Sequence, residues 1–381
     1  MAIPQRILIV GGGIAGLTFA AALQRHGASA DVIDLAPEWR PVGSGIAIGF
    51  NGVLALNSIG LGSAVQERGV PLNSVALLDS DGNRMNGFRF DSVTDVYGAS
   101  TTGIHRGALH DVLVGSLGNS PRLGTTVTAL REIAEGVVAE FSDGTSAEYD
   151  LVVGADGRNS KVRKLVFGEI DRQYVGYCAI RVVIPRPLGF EGMCELWGSG
   201  RRMGILPIGE DLLYSYSTFL SARGAVRDPS ENVNLLRELF GDFQGPARYV
   251  VDSNPDEDSI HYGDIEEVIL PRWISGRVVL IGDAAHAMSP DLGQGGSMAI
   301  EDAITLARIL VDSTEIAGAL HRFQASRYKR VRNMQRKSRQ YGWIVHRRTA
   351  PALAVRRTVV ERLASEHLAR TTVADLINPV A

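Results

Sequence analysis

Arg6-Ile7-Leu8-Ile9-Val10-Gly11-Gly12-Gly13-Ile14-Ala15-Gly16 is the stretch that decides the fold. The apolar run up to Val10 reads as a short buried strand, and Leu17 to Arg25, rich in Ala and Leu, reads as a helix. The glycines between them fit G-x-G-x-x-G, with Ile14 and Ala15 inside the motif. A second strand, Ala30-Asp31-Val32-Ile33, ends at Asp34, eighteen residues after Gly16. Strand, glycine turn, helix, strand and acid form the dinucleotide fingerprint in the context it requires. Glycines before a helix let a ligand approach its free amides, and the acid, Asp34, meets the ribose.

Two further strand-to-glycine transitions occur. Val278-Val279-Leu280-Ile281 reads as a buried strand and runs into Gly282-Asp283; then come Pro290-Asp291-Leu292-Gly293-Gln294-Gly295-Gly296 and a helical pattern from Ser297 to Leu310. A carboxylate at a strand end, Asp283, grips a polyol or sugar hydroxyl, and uncapped amides at a helix start favour negative charge. Leu151-Val152-Val153 leads into Gly154-Ala155-Asp156-Gly157-Arg158, which suits a pyrophosphate or ribose edge, although Asp-Gly is also an ordinary turn pair.

In this order and at these distances the motifs resemble the single-component flavoprotein monooxygenases, the group A hydroxylases with the p-hydroxybenzoate hydroxylase fold. The resemblance spans Ile7 to about Arg339. It implies an α/β chain: a Rossmann-like FAD-binding domain of the GR2 type, an inserted, mostly antiparallel substrate sheet, and a helical C-terminus. It implies noncovalent FAD, with NADH or NADPH as co-substrate. By position, Gly11, Gly13, Ile14, Ala15, Gly16 and Asp34 match the family's ADP-binding segment. Asp156 and Gly157 match its middle motif, and Asp283, Pro290, Gly293, Gln294 and Gly295 match the ribityl and flavin segment. Arg106, at a predicted helix start, matches a FAD-contacting arginine, and Arg40 joins this set. The region Arg40-Pro41-Val42-Gly43 to Asn51-Gly52 resembles the urate hydroxylase branch most.

The family's chemistry implies hydroxylation of an electron-rich aromatic or heteroaromatic small molecule by O2 through a flavin 4a-hydroperoxide. A urate-like or phenolic substrate is expected. The cofactor carries the hard step, and the protein positions, desolvates and polarises. Substrate activation falls to Arg202, Tyr214 and Asp291, a set that resembles the urate hydroxylases. An arginine and an aspartate on facing elements pair and hold a substrate anion. Sheet-surface roles for Arg202 and Tyr214, a helix-start role for Asp291, and Arg201 in place of Arg202 are the alternatives. An epoxidase, a tailoring hydroxylase of a secondary metabolite, a non-oxygenating flavin reductase and a FAD-binding module without activity also remain open. A flavin halogenase is disfavoured: no lysine precedes Lys161, and Trp-x-Trp-x-Ile-Pro is absent.

Composition frames these expectations. The 381 residues exceed the usual single-domain size, and the 45% hydrophobic content supports a sizeable core. A net charge of −3 gives no electrostatic reason to expect nucleic acid. Cys178 and Cys194 read as buried thiols. The eight histidines show no metal-ligand spacing, so no metal is expected, and His286 reads as structural. No apolar run reaches the length of a membrane span, and the N-terminus lacks a signal-peptide layout, so a cytoplasmic protein, monomer or homodimer, is expected. Basic residues from Arg327 to Arg339 read as the solvated face of a long helix.

The expected organisation is discontinuous. The FAD-binding domain takes 1–72, 100–170 and 263–340. The substrate domain takes 73–99, a hairpin turning at Asp81-Gly82, and 171–262. Candidate strands there are Val175 to Ile184, Met203 to Leu206 and Leu212 to Phe219, interrupted by a helix from Glu231 to Phe240. Residues 341–381 form a helical tail.

Overall fold

The computed structural model describes residues 6–39, 44–225 and 228–362. Arg40 and residues 363–381 of the tail lie outside them. The three strand-to-glycine transitions converge on one sheet, ordered Ile274–Ser275, Val278–Leu280, Leu151–Gly154, Ile7–Val10, Asp31–Ile33. All neighbours are parallel except the first pair. Ile7, Leu8, Ile9 and Val10 are all buried, as a strand covered on both faces requires. Because the strands run parallel, Gly11, Ala155 and Gly282 follow their carboxyl ends side by side. In such sheets that edge is where ligands bind.

Helix Ile14–Arg25 covers the sheet together with helix Gly295–Val311. Gly282 sits where they meet; a Cβ there would lie 2.9 Å from that of Ala15 and 3.2 Å from that of Ala299. Helix Ile316–Val345 turns Leu320, Phe323, Val331, Met334 and Ser338 inward at helical spacing. Helix Ala350–Arg362 follows it.

The second large layer is a seven-stranded sheet ordered Ile260–Glu267, Gln173–Pro185, Leu212–Leu220, Arg201–Pro207, Met193–Trp197, Ser74–Asp79, Arg84–Arg89. Only the pair Met193–Trp197 with Ser74–Asp79 is parallel. Its strands Met193–Trp197 and Ile260–Glu267 and the helix Pro246–Val251 were not foreseen. One face is covered by helices Asn232–Phe240 and Pro246–Val251, over Ile180, Val182, Met203 and Ile205. Residues of the opposite phase, among them Tyr177, Arg202 and Tyr214, face the cofactor half.

The basic run on the long helix is not simply a solvated face. Arg327 is buried and bonds Asp302 Oδ1 with Nε at 2.8 Å and also pairs with Glu301. Arg330 joins Glu301, and Arg339 joins Glu267. These arginines stitch the long helix to helix Gly295–Val311 and to strand Ile260–Glu267 at the edge of the seven-stranded sheet. Burial alone would raise the Glu301 carboxyl, but Arg330 and Arg327 outweigh it and hold it below its ordinary value.

Candidate active site

The first glycine turn has two kinds of glycine. Gly11 has φ +112°, and a Cβ there would lie 2.4 Å from the Ala155 carbonyl oxygen. A Cβ on Gly16 would meet the Gly11 carbonyl oxygen at 2.0 Å. Both are packing requirements. Gly13 is different: its absent Cβ would point into open space, and as N-cap of helix Ile14–Arg25 it leaves the first amides without a side-chain cap. An open approach to bare amides is what a pyrophosphate needs. Asp34 follows the second strand and accepts from the Gly12 amide at 2.7 Å and the Ala36 amide at 2.8 Å. A carboxylate has about four acceptor positions, so room remains for a ribose hydroxyl.

Asp156 has a local task. It accepts from the Lys161 and Val162 amides at 2.7 and 3.0 Å and from Ser160 Oγ at 2.5 Å, and so anchors the start of helix Lys161–Phe167. Burial still pushes its carboxyl above the ordinary value. Arg106 opens helix Arg106–Gly115, with its amide on the Ser44 carbonyl at 2.9 Å and its side chain exposed. Asp283 is exposed while Val278 to Ile281 and Ala284 to Ala287 are buried. An ionised group turned outward from a buried segment at the ligand edge is placed for a cofactor hydroxyl.

Pro290 starts a short 3-10 turn that Gly293 closes in the left-handed conformation at φ +63°. Gln294 is the N-cap of helix Gly295–Val311, which has no side-chain cap. Gln294 and Asn51 are buried, and each has an amide oxygen without a partner. The two amides flank Gly49, whose added Cβ would lie 2.7 Å from each. Buried orphan acceptors beside uncapped amides fit the imide edge of a flavin, which offers an N–H donor and carbonyl oxygens.

The structure brings Arg202 and Asp291 together. Arg202 Nη2 donates to Asp291 Oδ1 at 2.8 Å, and both side chains are fully buried at 0% exposure. Arg201 is excluded from this role, since it turns away to Asp242 and the Phe243 ring. Tyr214 is not part of the pair. It pairs across the sheet with Leu206 and packs on Gly45, while Tyr216, one same-face position nearer, lies over the Arg202 guanidinium at 5.4 Å.

Sequence reasoning missed the rest of this network. Glu195 Oε1 lies 3.4 Å from Arg202 Nη1. Glu195 also accepts from Trp197 Nε1 and Tyr341 Oη at 2.8 Å each, and from Tyr216. Tyr177 donates to Asp291 and stacks on His346 at 4.3 Å between ring centroids. Burial works against the Arg202 charge, but Glu195 and Asp291 outweigh it and keep the guanidinium ionised. Burial, then the Arg202 charge, pushes His346 down to about 4. These partners come from three distant parts of the chain, and no local spacing marks them. His286 is structural: it is buried, bonds Asp302, and lies 5.1 Å from the Trp273 ring.

A dinucleotide edge joined to a buried, charged sheet face defines a class, a flavin enzyme with a separate substrate layer. The FAD binding domain family matches residues 5–338, and the chain belongs to that family and is a flavoprotein monooxygenase. It is 35% identical to the aurachin C monooxygenase/isomerase of Stigmatella aurantiaca, over 96% of each chain. It is 34% identical to the 2-heptyl-3-hydroxy-4(1H)-quinolone synthase of Pseudomonas aeruginosa, over 90% of this chain and 88% of the relative. The Klebsiella pneumoniae HpxO structure, complexed with FAD and uric acid, superposes with a TM-score of 0.90 at 26% identity, covering 98% of this chain and 97% of that one.

Proposed function

We propose that the protein uses FAD and NADH or NADPH to hydroxylate a planar, electron-rich N-heteroaromatic ring that carries a carbonyl conjugated to a ring N–H, with a quinolone-type ring ahead of urate. FAD, when bound, would supply the redox chemistry, with the nicotinamide as reductant and O2 as oxidant, one oxygen atom going to the substrate ring and the other to water. The bare amides after Gly13 would hold the pyrophosphate, Asp34 the ribose and Asp283 the ribityl chain; Arg106 and the Asp156 turn would support the cofactor, and the Gln294 and Gly295 amides would take the pyrimidine edge. The supporting observation is the Arg202–Asp291 bond, which ties the substrate sheet to the turn beside the flavin. Because both partners are sealed, they act by fixing that turn and its field, not by touching substrate. The emphasis on quinolones rests on the identity to the P. aeruginosa enzyme, which exceeds the 30% to the K. pneumoniae FAD-dependent urate hydroxylase. The FAD domain takes 1–72, 100–170 and 268–340 and the substrate domain 73–99 and 171–267, the boundary moving from 262 because strand Ile260–Glu267 lies in the seven-stranded sheet. A screen of 4-hydroxyquinoline, urate and 6-hydroxynicotinate, following NADH and NADPH oxidation with product mass, tests the proposal. Cofactor oxidation without any product gaining an oxygen atom refutes it.

A further inference from the structure

Strand Gln173–Pro185 alternates Tyr177, Ala179, Arg181 and Val183 on the cofactor-facing side with Cys178, Ile180 and Val182 in the helix-covered core. Arg181 thus shares its face with Arg202, but the two arginines are in different situations. Arg202 is closed off by two carboxylates and two tyrosine rings. Arg181 is half-buried, and no carboxylate pairs with it among the described residues. Its cross-strand neighbours are Tyr216 on one side and His261 on the other. The Arg181 guanidinium lies near enough to the Tyr214 phenol to favour its ionised form, although burial is the larger influence and keeps that phenol above its ordinary value.

The surroundings leave space and unmet polarity. Ala179 pairs with Gly263, and nothing lies within 4 Å of where a Gly263 Cβ would be. His261 Nε2 is buried without a partner. Gly204 lets the Tyr216 ring lie flat on the sheet, since a Cβ there would sit 2.0 Å from the ring. A guanidinium, a phenol and an imidazole therefore converge beside a small-residue gap. The planar fork of a guanidinium that no carboxylate occupies matches the carbonyl oxygen of a flat ring.

We propose that Arg181, with Tyr214 and His261 beside it, is the cation that contacts substrate. It binds the exocyclic carbonyl oxygen of a flat N-heteroaromatic ring, the atom that carries partial negative charge when the carbonyl is conjugated to a ring N–H. The inference rests on the monooxygenase reading, but its test measures binding alone. The FAD-loaded enzyme is titrated with 4-hydroxyquinoline, urate and 6-hydroxynicotinate, following perturbation of the flavin spectrum. At least one probe binds the natural protein. Arg181→Gln raises its Kd about 10- to 150-fold, the range of a charge-assisted hydrogen bond. Arg181→Lys recovers only part of this, because an ammonium lacks the fork. Tyr214→Phe raises Kd less, and FAD content serves as the folding check in each variant. If Arg181→Gln binds every probe as tightly as the natural protein, or if the natural protein binds none, the inference is overturned. Tight binding by the natural protein without oxygenated product would instead refute the proposed reaction and leave the Kd comparison standing.

Discussion

Replacing Asp291 by Ala removes the acceptor shared by Arg202 Nη2, at 2.8 Å, and the Tyr177 hydroxyl. Breaking a buried ion pair by deleting one partner costs about 3–5 kcal/mol, because the other charge stays buried. Glu195 remains 3.4 Å from the same guanidinium and pulls the cost toward the lower figure. The orphaned Tyr177 hydroxyl adds about 1–3 kcal/mol. The expected loss is therefore roughly 4–6 kcal/mol. The double variant Arg202→Met/Asp291→Ala removes the charge as well. Glu195 keeps its donors Tyr216, Tyr341 and Trp197, so the double variant should be more stable than Asp291→Ala alone. Urea unfolding of the FAD-saturated proteins, followed by far-UV circular dichroism, measures both. A single variant within about 1 kcal/mol of the natural protein, or a double variant less stable than the single, would refute the reasoning. In turnover, Asp291→Ala should still oxidise NAD(P)H but divert it to hydrogen peroxide, because the turn that the pair fixes has lost its anchor. Full coupling in that variant would remove Asp291 from the site.

Four shorter tests follow. Asp283→Ala should weaken FAD binding about 10- to 150-fold, the equivalent of about 1.5–3 kcal/mol, measured by fluorescence titration of the apoprotein. Gly11→Ala should unfold the cofactor sheet, because φ is +112° and the Ala155 oxygen would be 2.4 Å away. By contrast Gly13→Ala, facing open space, should change apoprotein stability by under about 1 kcal/mol while lowering FAD affinity, so equal effects on both would contradict the two roles. His346 titrates near 4 in the fold against an ordinary 6.5. The unfolded chain therefore binds the extra proton first, and His346 should remove about 3 kcal/mol of stability as pH drops from 6.5 to 4, so that His346→Gln makes the slope shallower in pH-dependent urea melts, with carboxylates such as Glu301 supplying the remainder.

The local signals in the chain were sufficient for the cofactor half. An apolar strand, a glycine turn and a helix are consecutive in sequence, and so are the amides they expose; thus Gly11 to Gly16 and Asp283 to Gly295 were legible, as were FAD and the family. The hairpin at Asp81-Gly82 was legible for the same reason. The strand Ile260–Glu267 was not, because Gly263-Asp264 and Glu266-Glu267 break the alternation that marks a strand.

The substrate face depends on register. Arg202 and Asp291 are 89 residues apart, and their pairing was inferred from family resemblance. Strand alternation then sends Arg201 to the helix-covered side and Arg202 to the cofactor side, a choice that the dipeptide itself does not contain. Glu195, Tyr216, Tyr341 and His346 gather around the pair only when strand Met193–Trp197 is seated beside Arg201–Pro207 and the long helix is laid across both. The basic run on that helix was read as solvated because side-chain charge favours water, yet Arg327 is buried where Glu301 and Asp302 neutralise it. Sequence determined the elements whose hydrogen bonds and turn conformations are local. Tertiary structure alone decided which charges meet, because desolvation and pairing depend on distances that only the packed chain sets.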